Sequence, residues 1–515
     1  MSRWARAAGP GAALIAALAV AAWIYRPWVV LPFDIWDFRE FVPLLRRSEG
    51  VVDQLAGLAR YYADHGRQNL LFYSTFVAQW QWFGDSPAGW QLVRFGLMMG
   101  NVVLAFLVLR RFGISRFGAL AGAGMLLAAT PVLRGWVQLM AEPQALMALL
   151  LATLIALRYQ GTVRWKRDAA LLALLLAVVV FSKEVLGVLA GLVVLLAWCR
   201  QPDGSFRVPG KSPRNRLLAG LSLLVVFGAG ILLLVIRSRP SAQGYGMAYG
   251  EASFTLARVG DLFLAAILPF RTAGDFRVGL LYPANLLFLA IAGLGWAVRL
   301  RERGTRRSAL IELGWIGAIP LVGALAYWPW PKYDSFYALP FFFGSALLLG
   351  CAVTALERRS RSYRIGVRIA VPIAIGYLAI AAQRSVAVAS AALELNVALA
   401  RNLKVFREAD TVMVAGPRIG HRALPVQGPE LGEYAVAMGY ARSDELPRVV
   451  DVDCEGGRQR LAAGLGRKVL VSYSYGCGVF PESSVRLTRS YRYRDWLTLR
   501  PVIDSAMVDF LVPAR

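Results

Sequence analysis

Histidine and cysteine are scarce in this chain, and acidic residues are outnumbered by basic ones. Only two histidines occur in 515 residues, which excludes chemistry built on several histidine ligands. Four cysteines are present. Cys454 and Cys477 share the C-terminal segment, and an oxidising compartment would allow them to pair. The sequence leaves that pairing open.

Charged residues are scarce as well, at 17% of the chain, whereas hydrophobic residues make up 57% and mean hydropathy is +0.50. A helix that crosses about 30 Å of hydrocarbon needs roughly 20 mainly apolar residues. The composition therefore predicts an α-helical polytopic membrane protein with about eleven transmembrane helices. We place these spans at residues 10–31, 91–109, 115–133, 142–158, 168–183, 185–199, 216–236, 278–298, 308–328, 335–356 and 365–383.

The net charge of +25 is distributed in a pattern that predicts orientation. Arginine and lysine cluster at 3–6, 110–116, 158–167, 200–216, 299–307 and 358–368, on alternate loops. The positive-inside rule then places the N-terminus in the cytoplasm and the C-terminal segment outside, in a bacterial-type inner or plasma membrane. Basic loops of this kind also attract anionic lipid headgroups. Because they are scattered among predicted spans, we expect membrane lipids and no nucleic acid as partners. We interpret the first apolar stretch as a retained span and not as a cleaved signal peptide.

Three segments outside the membrane are too long for simple turns, namely 32–90, 237–277 and the C-terminal segment. Within the first, residues 38–47 and 51–64 have the apolar spacing of amphipathic interfacial helices. Residues 254–269 are compatible with either an interfacial or a re-entrant helix.

The C-terminal segment changes character, because long apolar runs give way to short β-branched ones. Strands are predicted at 411–415, 448–453, 468–474 and 507–512, with a helix at 429–440. This alternation indicates a small α/β or α+β domain outside the membrane. We therefore divide the chain into a transmembrane domain, 1–383, and an extracytoplasmic domain, 384–515.

An acidic motif, FDIWDF, follows the first predicted span. If the chain is helical there, Asp34 and Asp37 face the same way, with Glu40 one turn on. One carboxylate of such a pair can act as a general base, and two together can hold a divalent cation. The third possibility is a solvated loop, but Phe33 and Trp36 beside the acids favour a functional role. The motif does not settle whether a metal ion binds. A divalent cation is the only cofactor that it suggests.

Further polar residues lie where spans should meet the outer surface. Charges at that depth tend to mark sites or paired structural contacts. One interpretation of Lys183 and Glu184 is a turn between helices with side chains that extend to the surface. The alternative is a cationic pocket for a phosphate, formed by Lys183 and Lys332 with Arg39 and Arg67. The other site candidates are Glu142, Glu184, Tyr333, Tyr337 and His65, the last because it shares a segment with the acids.

Five short motifs follow one another in a characteristic order along the membrane part of the chain. They are FDIWDF, then HGRQNLLFYSTFVAQWQWFGDSPAGWQLVRF with its FG–x–x–P–x–x–W pattern, then MAEPQALMALLLATL, FSKE, and a tyrosine-rich loop that ends in YALP. In this order the chain resembles the polytopic GT-C glycosyltransferases, the superfamily of protein O-mannosyltransferases and aminoarabinose transferases. The resemblance covers about residues 10–383. The acidic motif departs from the adjacent Asp-Asp or Asp-Glu pattern, and which aspartate is catalytic therefore stays open.

The resemblance implies a transferase that takes a sugar from a polyprenyl-phosphate donor at the outer face of the membrane. The acceptor would be a lipid, a glycan or a protein. An aspartate, Asp34 before Asp37, would accept the proton of the attacking hydroxyl, usually with inversion, while cations stabilise the departing phosphate. The rival hypothesis is a transporter or flippase of a lipid-linked or anionic substrate, which would more often show repeats and acids in mid-span. A third is an inactive membrane scaffold that presents the C-terminal domain.

Overall fold

The structure is a computed structural model of the 515-residue chain. It describes residues 3–29, 35–64, 69–137, 140–159, 164–183, 185–200, 212–238, 256–270, 282–302, 306–327, 335–416, 428–453, 455, 459, 468–473, 485–494 and 500–511. The chain forms two compact units. The helical unit comprises Met1–Ala22, Ala59–Ala78 and Leu92–Ala382, and the sheet unit comprises Trp23–Leu58, Gln79–Gln91 and Gln383–Arg515. The assignment of 1–383 and 384–515 to separate membrane and outer domains stays a prediction.

Helices dominate the described residues. They are α1 (Arg3–Val29), α2 (Ile35–Arg47), α3 (Val51–Asp64), α4 (Leu70–Phe83), α5 (Pro87–Arg111), α6 (Arg116–Ala128), α7 (Leu133–Val137), α8 (Glu142–Tyr159), α9 (Trp165–Ser182), α10 (Leu186–Cys199), α11 (Pro213–Ser238), α12 (Leu256–Ile267), α13 (Pro283–Arg301), α14 (Arg306–Tyr327), α15 (Phe342–Arg359), α16 (Arg361–Asn402) and α17 (Gly428–Ala437). Short 3-10 helices lie at Thr130–Val132, Ser335–Ala338, Leu403–Phe406 and Ser443–Glu445.

Several helices have the dimensions of membrane spans. In the part of the chain that the structure describes, four are both long and apolar enough to cross a membrane: Pro87–Arg111, Pro283–Arg301, Arg306–Tyr327 and Arg361–Phe406. Shorter apolar helices lie at Ile15–Trp28, Arg116–Ala128, Leu186–Cys199 and Asn215–Ala229. The prediction of a mainly helical integral membrane protein is therefore supported, whereas the number of eleven spans and the orientation stay predictions.

Close backbone contact between α6 and α15 forms part of the core of the helical unit. A Cβ atom placed on Gly118 or Gly122 would lie only 2.7 Å from the carbonyl oxygen of Gly350 or Ala346, respectively. Glycine is required at both positions because any side chain would separate the helices. Small residues at helix contacts are the usual means of packing helices in membranes, where apolar residues gain little by leaving lipid.

Arginines of the basic loops hold helix ends together in the same unit. Glu312, only 1% exposed, accepts hydrogen bonds from Arg200 (2.7 Å) and Arg299 (2.6 Å). The ends of α10 and α13 are thereby fixed to α14. The buried carboxylate of Asp168 is likewise paired with Arg158 at 2.5 Å. Part of the net positive charge therefore has a structural role besides any role in topology.

The segment 254–269, whose nature the sequence left open, contains helix α12. Twelve residues rise roughly 18 Å, well short of the hydrocarbon thickness of about 30 Å. Ser345 of α15 donates a hydrogen bond to the carbonyl of Ala266 (3.0 Å). Asn285 accepts a hydrogen bond from Phe270 N and donates one to Phe270 O, at 2.9 and 2.7 Å. These contacts fix the C-terminal end of α12 within the helical unit.

Helix α16 is much longer than the span predicted at 365–383. Its 42 residues extend roughly 63 Å at 1.5 Å per residue. The helix continues to Asn402, and the residues from Gln383 onward belong to the sheet unit. The C-terminal segment therefore begins as helix before its first strand.

The sheet unit contains a five-stranded mixed sheet with strand order β2-β1-β3-β5-β4. The strands are β1 (Thr411–Gly416), β2 (Arg448–Asp453), β3 (Lys468–Tyr473), β4 (Val485–Arg494) and β5 (Pro501–Leu511). β1 pairs in parallel with β2 and β3, while β5 runs antiparallel to β3 and β4. Helix α17 lies between β1 and β2 in the chain and packs on both. The four predicted strands and the predicted helix are present, and β4 was not predicted.

Helices α2 and α3 match the two amphipathic helices predicted for the first outer segment. α2 begins a few residues earlier than the predicted range of 38–47 and buries Phe41, Val42 and Leu45. This helix carries Asp37 in its first turn and belongs entirely to the sheet unit.

Candidate functional site

The structure describes the side chains of three predicted site residues, and all three lie together. Glu142, Lys183 and Tyr337 form one cluster in the helical unit. Asp34, His65, Arg67, Glu184, Lys332 and Tyr333 lie outside the described residues, and Asp37 and Arg39 lie in α2 with side chains outside the description. The proposed phosphate ligands other than Lys183 therefore stay predictions.

Glu142 occupies the first position of α8 and is completely buried. The N-terminal end of a helix carries free N–H groups and a partial positive charge, which favour a carboxylate there. Pro143 follows, and its fixed φ suits the first turn of a helix. Asn101 of α5 donates a hydrogen bond to the Pro143 carbonyl (2.8 Å) and a second to its own helix. The start of α8 is thereby fixed against α5.

Lys183 faces the same acid from the end of the neighbouring helix. It directly follows α9, whose C-terminal end favours a cation. Its Nζ atom lies 3.4 Å from Oε1 of Glu142, and the two side chains are 11% and 0% exposed. α8 and α9 pack closely along their lengths. The pair is therefore a buried ion pair at one end of two adjacent helices.

Aromatic rings form one wall of the cluster. Lys183 Nζ lies 5.2 Å from the ring centroid of Tyr337, within the range of a cation–π interaction. The rings of Tyr337 and Tyr327 lie 4.6 Å apart between centroids, and Phe341 meets Tyr327 edge-on at 5.9 Å. Gly323 makes room for Phe341, because a Cβ there would lie 2.4 Å from that ring. The 3-10 turn Ser335–Ala338 is held in this way against α14.

The Glu142 carboxylate has hydrogen-bonding capacity to spare. Within the described ranges, neither of its oxygens accepts a hydrogen bond, although both are buried. Buried polar atoms without partners are rare in folded proteins because each costs about 1–3 kcal/mol. An ion pair with Lys183 at 3.4 Å offsets only part of this cost. The arrangement offers one cation to an anionic ligand and one strong acceptor to a hydroxyl group.

Two polar residues that fix the first turn of α8 carried no signal that sequence reasoning used. Gln144 of α8 donates a hydrogen bond to Thr75 of α4 at 2.7 Å, and Thr75 in turn donates to the carbonyl of Phe72. Gln144 belongs to the MAEPQ motif, and its closeness to Glu142 in the sequence was the only indication of its role. Asn101 lies in mid-helix, and a polar residue inside an apolar span was the available hint.

Metal ligands do not gather anywhere in the described part of the chain. No group of three or more histidine, cysteine, aspartate or glutamate side chains is close enough there to hold an ion. The Glu142 cluster itself supplies a single acid. A divalent cation near Asp34 and Asp37 stays a prediction, because those side chains are outside the description.

Comparison with known proteins gives structural likeness but no sequence relative. No protein-family model and no curated protein sequence matches the chain. ArnT from Cupriavidus metallidurans is similar in the apo state, at 12% identity over 98% of each chain, with a TM-score of 0.42. Its structure bound to undecaprenyl phosphate is similar at 13% identity over 97% of this chain and 98% of that one, again at 0.42.

A second neighbour is the archaeal oligosaccharyltransferase AglB from Archaeoglobus fulgidus, in complex with an inhibitory peptide and a dolichol-phosphate. It is 13% identical over 96% of this chain and 75% of its own, at a TM-score of 0.42. ArnT and AglB are thus similar to this chain at the level of structure only, and the GT-C resemblance continues to rest on the order of the sequence motifs. A TM-score of 0.42 transfers neither a substrate nor a residue role to this chain.

Proposed function

We propose that this chain is a membrane glycosyltransferase that transfers a sugar from a polyprenyl-phosphate donor to a lipid, glycan or protein acceptor at the outer face of the membrane. The observation that carries the proposal is the buried Glu142–Lys183 pair beside Tyr337. It lies at the ends of α8 and α9 that the basic-loop pattern places outside. The order of the five sequence motifs supports the same function.

Lys183 supplies a cation for the donor phosphate. In the ligand-free pair its charge is balanced by Glu142 at 3.4 Å, so the site needs no counterion at rest. An incoming phosphate takes the ammonium as its partner through charge-assisted hydrogen bonds. Lys332, Arg67 and Arg39 are the further cations expected around the phosphate. Fixed positive charge there stabilises the negative charge that builds on the leaving group.

Glu142 supplies an acceptor for a hydroxyl group of the donor sugar. Its two buried oxygens have no hydrogen bond within the described residues, and a sugar hydroxyl would satisfy at least one of them. The ring of Tyr337 lies beside Lys183, the ion-pair partner of Glu142, and against the ring of Tyr327. A sugar presents both hydroxyl groups and C–H faces, so this combination of acid and aromatic rings suits it.

The chemical step needs a base, for which Asp34 is the first candidate and Asp37 the second. The acceptor hydroxyl attacks the anomeric carbon, and the bond from that carbon to the phosphate oxygen breaks. The aspartate accepts the proton of the hydroxyl, and the polyprenyl phosphate leaves with the bonding electron pair. Attack opposite the leaving group inverts the anomeric centre. Loss of general-base assistance typically lowers the rate by about 10²–10⁴.

Transfer from a labelled polyprenyl-phosphate sugar by purified protein in lipid vesicles tests the proposal. Asp34→Asn keeps the shape of the side chain and removes its basicity, so turnover should fall by about 10²–10⁴ while donor binding persists. Asp37→Asn should have a smaller effect. If both variants turn over at the parental rate, the aspartates are loop residues and the reaction is misassigned. Movement of the intact donor across the bilayer without sugar transfer would support the flippase hypothesis instead.

A further inference from the structure

Helix α2 (Ile35–Arg47) has few features of its own that would hold it in position. It is only 13 residues long and contains Pro43. Proline removes a backbone donor and crowds the preceding turn, and helices shorter than about 12–15 residues are marginal without tertiary support. Contacts with other elements must therefore fix the helix whose first turn carries Asp37.

Helix α17 supplies the largest of these contacts within the sheet unit. α2 packs on α17, and its residues Phe41, Val42 and Leu45 are at most 3% exposed. α17 is held in turn against β1 and β2. The C-terminal segment of the chain therefore supports a helix that lies near the N-terminal end of the sequence.

Arg46, in the last turn of α2, fixes the register of this contact. Its Nη1 atom donates to the carbonyl oxygen of Ala437, the last residue of α17, at 2.7 Å. Its Nη2 atom donates to both carboxylate oxygens of Asp85 at 3.0 and 2.9 Å. Gly439, at φ +72, turns the chain directly after α17, and a Cβ there would lie 3.9 Å from Nη1. One guanidinium thus joins α2, the end of α17 and the turn between α4 and α5.

Two glutamine side chains also hold the C-terminal end of α2. Gln54 of α3 donates to the carbonyl of Leu45 at 2.9 Å, and Gln81 of α4 donates to the Gln54 side chain at 2.9 Å. Gln54 is only 4% exposed. The carbonyl groups at a helix C-terminus need such partners. The C-terminal end of α2 is therefore fixed, and its N-terminal end lies roughly 18 Å away along the helix axis.

We propose that Arg46 is a positioning residue for the acidic motif: through it, α17 and the turn at Asp85 set the place of α2 and hence of the acids at its start. The proposal rests on the proposed function of those acids. A guanidinium with two separate partners can do this, whereas an ammonium cannot bind both in the same fixed geometry. The C-terminal segment then has a part in catalysis besides any part in acceptor choice.

Hydrogen exchange of the α2 amides tests whether Arg46 holds the helix. Arg46→Ala should speed exchange across α2 by about tenfold or more, because local opening becomes easier. The matched control is Arg47→Ala: Arg47 is the adjacent residue, is exposed, and makes no hydrogen bond or ion pair with any described residue. Unchanged α2 exchange in Arg46→Ala would overturn the proposal, whatever the activity.

Kinetics test whether the held position matters for the reaction. Arg46→Ala should lower kcat by about 10- to 100-fold with the donor KM little changed, since small misplacements of a catalytic group have effects of that size. Arg46→Lys should recover part of the loss, and Arg47→Ala should behave as the parent. In the background of the more impaired of Asp34→Asn and Asp37→Asn, Arg46→Ala should lower kcat no further.

The outcomes separate this proposal from the proposed function. A full additional loss of kcat in the Asn background would show that Arg46 acts on general folding, and it would overturn the positioning role. Parental turnover by both Asn variants would refute the aspartates as catalytic groups and the positioning role with them. The exchange experiment would still decide, in that case, whether Arg46 holds α2.

Discussion

Two buried carboxylates at opposite ends of α8–α9 have very different surroundings. Asp168, near the start of α9, accepts hydrogen bonds from Nε and Nη2 of Arg158, with Arg167 at 3.9 Å. Glu142 has one cation at 3.4 Å and no hydrogen bond among the described residues. Each oxygen of the first acid accepts a hydrogen bond, and this acid joins the two helix ends structurally. The second retains the capacity to bind a ligand, and this difference at the residue level distinguishes the candidate site from a structural pair.

Lys183→Met should destabilise the protein through Glu142. The change leaves a buried carboxylate without its cation, which typically costs about 3–5 kcal/mol. The double variant Glu142→Gln/Lys183→Met removes both charges and should recover much of that loss. Thermal unfolding of the purified variants in one detergent measures the effect. Losses that simply add in the double variant would contradict a direct ion pair. Donor binding by this double variant, compared with Glu142→Gln alone, isolates the contribution of Lys183.

Glu312→Ala should be more damaging than a comparable change on the surface. It leaves Arg200 and Arg299 without the carboxylate that holds them at 2.7 and 2.6 Å, and the loss of one member of a buried ionic cluster costs about 3–5 kcal/mol. Asp261→Ala, at an exposed position of α12, is the control and should change stability by less than about 0.5 kcal/mol. Similar unfolding temperatures for the two variants would show that this ionic cluster is not needed.

At the level of elements, periodicity and length in the sequence predict most helices and strands. Features that depend on packing between elements are not predicted. The β-branched runs at 411–415 and 448–453 predict β1 and β2 because β-branched residues favour strands, both in the central strand β1 and in the edge strand β2. The sequence did not predict β4, which reads VRLTRSYRYR. Its arginines give no apolar pattern, because β4 is an edge strand and needs no buried face. The extension of α16 beyond residue 383 is encoded by alanine-rich sequence with high helix propensity, but hydropathy alone does not reveal it. The sequence predicted only that Glu142, Lys183 and Tyr337 lie at the outer ends of spans. It did not predict that they contact one another.

Glycine contacts between helices provide an element-level prediction. Gly122→Ala places a Cβ 2.7 Å from the Ala346 carbonyl, which forces α6 and α15 apart and should destabilise by about 1–3 kcal/mol. Gly314→Ala in α14 meets nothing within 4 Å, and the helix propensity of alanine should make it neutral or stabilising by up to about 1 kcal/mol. Unfolding temperatures measured under identical detergent conditions compare the two. Equal stability of both variants would mean that α6 and α15 do not pack as described.

At the level of the whole molecule, charge has two roles in different places. Arginines in the basic clusters pair with the buried acids Asp168, Glu312 and Glu357. The Glu142–Lys183 pair stands at the opposite ends of α8 and α9 from the Arg158–Asp168 pair. The helix ends near the basic loops are therefore joined by arginine–carboxylate pairs. The opposite ends of α8 and α9 carry the candidate site. The proposed reaction at the outer face requires the sheet unit, which carries α2 and Asp37, to lie on the outer side.

Cysteine accessibility in intact cells tests this orientation directly. Val436→Cys lies on α17 at an exposed position, and Ser212→Cys lies exposed at the start of α11. The positive-inside rule places the first outside and the second in the cytoplasm. A membrane-impermeant maleimide should therefore label Val436→Cys in intact cells, and Ser212→Cys only after the membrane is opened. Both variants belong in a background in which Cys454 and Cys477 are replaced by serine, because native thiols on the outer side would also react. The reverse labelling pattern would place the sheet unit in the cytoplasm, where it could not support a reaction at the outer face, and both proposals would fail together.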